Sequence, residues 1–173
     1  GIVFGDMILE ELGALVRERC QILSQGRGCR TEALRLGWDE FVLWLEGRSG
    51  EEAEDFVQAL LEDAGALFQE ETFHLWMCAG LARGGREQST GRLIRMAQLA
   101  RSQVRPGAGR QFRSYEDSPE ADRGQLPAVQ VKGFDARRGS GDVGLVSVAL
   151  DLFGKGDDFP AQMELMIRKI GRI

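Results

Sequence analysis

One histidine and one cysteine have the spacing of a nucleophilic pair. His74 lies four residues before Cys78 and is the single histidine in the 173-residue chain. An imidazole that takes the proton of a thiol makes the sulfur a nucleophile. Neighbours at i and i+4 on one helix rarely align for proton transfer, and the sequence indicates no third group to orient the imidazole. We therefore interpret the pair as a partly buried histidine beside a core cysteine, and we predict no catalytic residue.

A glycine-rich motif lies in the last quarter of the chain. It fits G-x-G-x-x-G-x-V at Gly139, Gly141, Gly144 and Val146. In protein kinases such a loop brings backbone N–H groups close to phosphates, and the following strand carries a lysine. Here residues 148–151 read VALD, with an acid in the place of that lysine, and the sequence has no H-R-D or D-F-G. In a chain with 23 glycines we interpret the match as a turn between strands and predict no cofactor.

Other signatures of catalysis and metal binding do not occur in the sequence. It contains no G-x-S-x-G, H-E-x-x-H or Walker motif, and three cysteines with one histidine give no zinc spacing. The odd cysteine count also argues against a disulfide framework and favours a reduced compartment. We therefore predict neither an enzyme nor a metal site, although an enzyme completed by a partner chain remains a third possibility.

Charge is distributed unevenly along the chain, whose net charge is −5. From Asp39 to Glu71 there are eleven acids and one base, whereas residues 83–113 carry eight arginines and one acid. The folded molecule should therefore have an acidic and a basic region. Arginines in this setting pair with acids of the same protein or of a partner, or they contact phosphates. The eight candidates are Arg83, Arg86, Arg92, Arg95, Arg101, Arg105, Arg110 and Arg113.

The arrangement of these arginines argues against a DNA-recognition helix. On the helix predicted after Ser89, Arg92 and Arg95 lie on one side of the apolar stripe, and Arg101 and Arg105 lie on the other. A recognition helix would present its basic and base-reading side chains together on one exposed face. Arginines that flank an apolar stripe also suit a helix docked on an acidic surface.

Composition places the chain among soluble globular proteins. It is 43% hydrophobic and 28% charged, which suits one domain or one domain with an appended subdomain. No apolar run approaches the roughly 20 residues that span a bilayer, and no signal-peptide pattern occurs. We therefore expect an intracellular, soluble protein of the cytoplasm or nucleus that does not bind a membrane.

Hydrophobic periodicity predicts a five-helix bundle in residues 1–104. Ser49 and Glu52 fit a capping box, in which the serine hydroxyl accepts a helical N–H and the glutamate reaches back to the cap. Apolar residues then recur at helical spacing as far as Ala64, and Ser89 is placed to cap the last helix of the bundle. The predicted helices are Asp6–Gln25, Thr31–Leu45, Ser49–Ala64, Phe73–Leu81 and Ser89–Val104.

The pattern changes after the bundle. Residues 105–127 contain three of the four prolines and no periodicity, which predicts a long ordered loop held by its own protein or by a neighbour. Alternating apolar residues in 128–134 and 142–153 then predict a β-hairpin, and the remaining residues predict a helix within the subdomain 128–173. The predicted interface anchors are Phe112, Tyr115, Val129 and Val131.

Together these patterns predict a mainly α-helical α+β protein without catalytic activity. We expect an interaction or assembly subunit, either a homo-oligomer or part of a larger complex, that associates through its charge-asymmetric surfaces. The alternative is an RNA- or DNA-associated subunit in which the arginine-rich segment 83–113 binds phosphates without reading sequence.

Overall fold

The computed structural model describes residues 2–26, 28–37, 39–67, 76–85, 88–107, 109–117 and 143–151. These residues form three α-helices, five β-strands and a 3₁₀ turn at Tyr115–Asp117. The helices are α1 (Ile2–Ser24), α2 (Gly50–Leu67) and α3 (Thr90–Ser102). The strands are β1 (Arg30–Arg35), β2 (Glu40–Glu46), β3 (Trp76–Gly84), β4 (Phe112–Ser114) and β5 (Val143–Asp151).

The five strands form one mixed sheet in the order β1-β2-β5-β3-β4. The β1–β2, β2–β5 and β5–β3 pairs are antiparallel, whereas β4 runs parallel to β3. The β1–β2 hairpin is closed by a hydrogen bond from the Leu36 N–H to the Glu40 carbonyl, 2.9 Å long. Strands from the predicted bundle, from the predicted loop and from the predicted subdomain therefore belong to one sheet.

Helices cover both faces of this sheet. Helices α1 and α2 pack on one face, where their apolar side chains join those of β2, β3 and β5 around Leu43, Leu81 and Val146. Helix α3 packs on the other face against Val42 and Trp44. The described residues thus form three layers, with the sheet between two helices on one side and one helix on the other.

The predicted five-helix bundle is wrong. In their described parts, the segments predicted as helices at Thr31–Leu45 and Phe73–Leu81 contain β1, β2 and β3 and no helix. Strand β2 contains the apolar run Phe41–Leu45, which is buried throughout because both faces of the sheet are covered. A short apolar run of this kind fits a buried strand and a helix equally well, so its periodicity did not identify the secondary structure.

The predicted C-terminal hairpin is also wrong. The strand expected at 142–153 exists as β5, but β5 is hydrogen-bonded to β2 on one side and to β3 on the other. Both of its edges are occupied, so it cannot pair with 128–134. That segment and the predicted final helix lie outside the described residues. The predicted loop 105–127 contains β4 and the 3₁₀ turn in its described part.

The predicted helix starts at Ser49 and Ser89 are confirmed. Helix α3 begins after Ser89, whose hydroxyl accepts a hydrogen bond from the Arg92 N–H at 3.2 Å. At α2 the Glu52 N–H donates to the Ser49 hydroxyl at 3.2 Å, and the Ser49 N–H donates to the Glu52 carboxylate at 2.8 Å. This is the predicted capping box. The predicted start of the first helix at Asp6 is wrong, because α1 begins at Ile2 and Asp6 lies within it.

Gly80 in β3 allows α3 to lie directly against the sheet. A Cβ atom at this position would lie 1.9 Å from the carbonyl oxygen of Ala97 and 2.5 Å from the backbone nitrogen of Arg101. Both atoms belong to the backbone of α3, so no side-chain rotation would relieve the contact. The close approach of helix and strand therefore requires glycine here.

We predict opposite effects of two glycine-to-alanine substitutions. Gly80→Ala should lower the free energy of unfolding by roughly 1–3 kcal/mol, because the new methyl group overlaps the backbone of α3. Gly13→Ala should raise it by about 0.5–1 kcal/mol, because Gly13 lies inside α1 with open space around its Cα. Urea unfolding of the two variants measures both changes. Equal stability of Gly80→Ala and the unmodified protein would contradict the described packing of α3.

A second prediction concerns the pH dependence of the capping box. The Ser49 N–H, the Arg48 guanidinium and the Ser49 hydroxyl lower the pKa of Glu52 below its ordinary value of 4.5. A carboxylate with a lowered pKa stabilises the fold above its ordinary pKa, and this contribution is lost as the pH falls through the lowered value. Glu52→Gln should therefore be less stable than the unmodified protein at neutral pH and equally stable in acid. Denaturant midpoints across that range test this, and a pH-independent difference would contradict it.

Candidate functional site

The candidate catalytic residues of the sequence are not assembled into a site by the described residues. His74, Gly139 and Gly141 lie outside the described residues, while Gly144 and Val146 are buried in β5. Cys78 is buried in β3. Burial also raises the pKa of the Cys20 thiol to about 11, which keeps its sulfur protonated at neutral pH.

Arg101 is committed to an intramolecular polar cluster between α3 and the sheet. Its guanidinium donates to the Ser147 hydroxyl at 3.2 Å and lies 3.4 Å from the Glu40 carboxylate. The Ser147 hydroxyl donates to the same oxygen of Glu40 at 2.9 Å, and the Gln98 amide donates to it at 2.8 Å. We call Glu40, Gln98, Arg101 and Ser147 the polar cluster. It satisfies a serine that is fully buried in the middle of the sheet.

Three members of the polar cluster are not predicted from the sequence. Glu40, Gln98 and Ser147 come from β2, α3 and β5, and up to 107 positions separate them in the chain. One local signal existed, because Ser147 interrupts the apolar residues of β5 and a polar residue at a buried strand position requires a partner. Its partner can be identified only when the sheet order is known.

The other predicted arginines have different environments. Arg92 and Arg113 are half-buried, and each makes interactions within the protein. Arg105 donates to the Ser102 carbonyl at 3.0 Å near the end of α3, and Arg110 lies over the Phe112 ring, 5.2 Å from its centroid. Arg86 lies outside the described residues. The exposed members of the set are Arg83, Arg95, Arg105 and Arg110.

The predicted interface anchors that the structure describes are buried within the chain. Phe112 is 6% exposed and joins the cluster under α1 and α2, whereas Tyr115 is 3% exposed and joins the cluster under α3. They attach the segment after α3 to both faces of its own sheet. The other two predicted anchors, Val129 and Val131, lie outside the described residues.

The helices on the two sides of the sheet carry net charges of opposite sign. Helices α1 and α2 carry ten acids and two arginines on one side of it. Helix α3 carries three arginines and no acid on the other side. We call these sides the acidic layer and the basic layer. The acids and arginines that are separated along the sequence are therefore also separated by the sheet in the folded protein.

Two concavities lie on these layers. A groove of about 540 Å³ on the acidic layer combines exposed apolar side chains with glutamates, and it is lined by Met7, Glu10, Glu11, Ala14, Leu15, Glu18 and Leu67. A smaller cavity of about 200 Å³ lies at the N-terminal end of α3. We call it the α3 cavity, and its lining residues are Gln88, Arg92, Met96, Tyr115 and Glu116.

Neither a metal site nor a membrane span is found in the described residues. No group of three or more histidine, cysteine, aspartate or glutamate side chains in the part of the chain that the structure describes is arranged to hold a metal ion. None of the described helices combines the length and the apolar character needed to cross a bilayer.

Comparison of the chain with protein-family models, with curated proteins and with solved structures finds no match.

We predict that Arg101 and Arg95 differ in their effect on stability, although both are arginines of α3. Arg101→Ala should lower the free energy of unfolding by about 1–3 kcal/mol, because it removes partners from a buried hydroxyl and a carboxylate. Glu40 and Arg101 keep 16% and 20% of their side-chain surface exposed, so the loss should be smaller than for a fully buried ion pair. Arg95 is exposed, and Arg95→Ala should change stability by no more than about 0.5 kcal/mol.

Denaturant unfolding of the two variants measures this difference. If Arg101→Ala and Arg95→Ala were equally stable, the polar cluster would not contribute to holding α3 on the sheet.

Proposed function

We propose that this protein is a non-catalytic interaction or assembly subunit that associates through its acidic and basic layers. The observation that carries the proposal is the separation of charge across the sheet, with ten acids and two arginines in α1 and α2 and three arginines without an acid in α3. A surface of one sign attracts a surface of the other sign and orients the encounter.

The acidic layer has the features of a protein-binding surface. Its groove brings Met7 and Leu67, which are 53% and 43% exposed, next to exposed glutamates. Apolar side chains in the middle with charged residues around them are typical of protein interfaces. A partner with a basic rim and an apolar centre would fit this groove.

Internal pairing uses only part of the acidic layer. Arg19 pairs with Asp63, Arg48 pairs with Glu52, and the Ser114 hydroxyl donates to Glu54 at 2.9 Å. Exposed acids without a described internal pair remain on both helices, and they are Asp6, Glu10, Glu11, Glu18, Glu51 and Asp55. These carboxylates supply the charge that a basic partner would meet.

The basic layer offers fewer charges, because the fold itself uses some of its arginines. Arg101 belongs to the polar cluster, and Arg92 is half-buried. Arg95 on α3 and Arg105 just beyond it are exposed, so they are the side chains of this layer best placed to meet a partner.

The opposite charges of the two layers favour head-to-tail association when the partner is a second copy of the chain. In a two-fold symmetric dimer the same patch of each copy meets itself. A dimer centred on either layer would therefore place like charges opposite each other. Contact between the acidic layer of one copy and the basic layer of the next avoids this repulsion and leaves one layer of each copy available for a further contact.

We predict that the average mass of the protein in solution rises with concentration at low salt. Light scattering at about 0.05 M and about 0.5 M salt should show association at the lower value and monomer at the higher one, because exposed charges are screened more strongly at high salt. Replacing Arg95 and Arg105 by glutamine should weaken the association.

Arg17→Gln is the matched control. Arg17 is exposed on α1, so its loss removes positive charge from the acidic layer and should leave association unchanged or stronger. A protein that stays monomeric at every concentration and salt would contradict self-association. An equal effect of Arg17→Gln and of the α3 substitutions would show a dependence on net charge alone.

The alternative role, phosphate contact with RNA or DNA, would use all four exposed arginines of the predicted set, Arg83, Arg95, Arg105 and Arg110. A filter-binding titration with a generic RNA and a generic DNA tests it at low salt. Retention that falls steeply with salt and is lost when Arg83, Arg95, Arg105 and Arg110 become glutamine would favour nucleic-acid binding over protein association. No retention at low salt would remove this alternative.

A further inference from the structure

One exposed stripe of α1 runs along the groove on the acidic layer. Met7, Glu11, Ala14 and Glu18 follow one another at helical spacing, and all four are exposed residues of the groove lining. Ala14 keeps the middle of this stripe low, because its side chain is a single methyl group. The groove therefore offers a shallow apolar centre with a carboxylate on either side of it.

The outer side of α3 has a complementary arrangement. Arg95 and Ser102 are exposed, Leu99 between them is half-buried, and the three residues follow one another at helical spacing. The Ser102 hydroxyl donates to the Leu99 carbonyl at 2.7 Å, so it needs no acceptor from another molecule. Arg105 follows just beyond the helix and is also exposed. This side of α3 therefore presents an apolar side chain between two arginines.

The two stripes match in spacing when the helices lie antiparallel with Leu99 opposite Ala14. Arg95 precedes Leu99 by four residues, which is about 6 Å along the axis of α3. Glu18 follows Ala14 by the same distance on α1, so the guanidinium and the carboxylate come to the same level. At the other end of the contact, Arg105 comes to the level of the acids near the start of the groove.

We propose that α3 of a second copy lies antiparallel in the groove, with Leu99 over Ala14 and Arg95 beside Glu18. Helices α1 and α3 of one molecule lie on opposite sides of the sheet, so α3 can reach the groove only from another molecule. The antiparallel direction also places the dipoles of the two helices in the attractive orientation. This contact rests on the proposed association of the charged layers, and it names the helices and side chains that form it.

Occupation of the groove would cover its exposed apolar side chains. Met7 and Leu67 are 53% and 43% exposed. A docked helix removes such side chains from water, which adds an apolar attraction to the pairing of charges. Association should therefore depend on the shape of the groove at Ala14 as well as on its charge.

Two double variants of the full chain test the direction and register of the contact. The first, Arg95→Glu with Glu18→Arg, exchanges the charges of one proposed pair. The second, Arg95→Glu with Glu10→Arg, is the matched control, because it has the same net charge and alters the same two layers. Glu10 and Glu18 are eight residues apart, about 12 Å along α1, which exceeds the screening length of about 10 Å at 0.1 M salt.

Sedimentation velocity at about 0.1 M salt measures the self-association of each variant. Arg95→Glu alone should weaken it about tenfold, because this change places two carboxylates opposite each other. The double variant with Glu18→Arg should return to within about threefold of the unmodified protein. The control with Glu10→Arg should stay as weak as the single variant.

A substitution without charge tests the apolar centre. Ala14 is exposed, so Ala14→Gln should leave the fold intact, but the longer side chain would keep Leu99 of the second copy out of the groove. We expect it to weaken association about tenfold. Ala59→Gln is the matched control, because Ala59 is exposed on α2 and is not part of the groove lining, and it should associate like the unmodified protein.

The possible failures are distinguishable. Equal association of the two double variants, or of Ala14→Gln and the unmodified protein, would overturn this contact and leave the association of the layers standing. Recovery with Glu10→Arg in place of Glu18→Arg would overturn it by indicating a parallel contact. An unmodified protein that does not associate at low salt would overturn both this contact and the proposed self-association.

Discussion

The contact between α3 and the bare backbone of Gly80 is the constraint on which the described structure depends. Because no side chain stands between helix and strand at this position, the backbone of α3 lies directly on the middle of the sheet. Arg101 then reaches Ser147, which is the register partner of Gly80 on β5. The same contact therefore places the apolar stripe of α3 over Trp44 and brings a guanidinium to a buried hydroxyl.

This contact also decides which arginines can meet a partner. Once Arg101 is bound to Glu40 and Ser147, the exposed side of the helix presents Arg95. A partly buried ion pair such as Arg101–Glu40 adds little net stability compared with apolar packing, but removing one of its partners destabilises the fold. We infer that the polar cluster fixes the orientation of α3, and that the exposed charges of the basic layer follow from that orientation.

Local signals in the sequence predicted the three helices. The capping box at Ser49, the cap at Ser89 and the apolar stripes of α1, α2 and α3 are short-range patterns, and each has the predicted structure. Strand β5 was also predicted, because its alternating, β-branched sequence is likewise a short-range pattern.

The failures arose where long-range packing determined the structure. The apolar run of β2 has no polar face because helices cover both sides of the sheet, so it lacks the alternation that indicates a strand. Strand β3 is rich in alanine and glycine, and nothing in its own sequence indicates that α3 approaches Gly80. The segment was therefore predicted as a helix. The polar cluster was missed because it joins β2, α3 and β5, and the order of the sheet cannot be obtained from any one of these segments.

We propose that the acidic layer of one molecule binds the basic layer of another, and two variants separate the layers. One variant would carry glutamine at Glu10, Glu11 and Glu18, and the other would carry glutamine at Arg95 and Arg105, so that each keeps one layer intact. Sedimentation velocity of an equimolar mixture at low salt measures the outcome most directly. We predict that each variant alone is monomeric and that the mixture forms one-to-one dimers without larger species. A mixture that stays monomeric under conditions where the unmodified protein associates would contradict the claim.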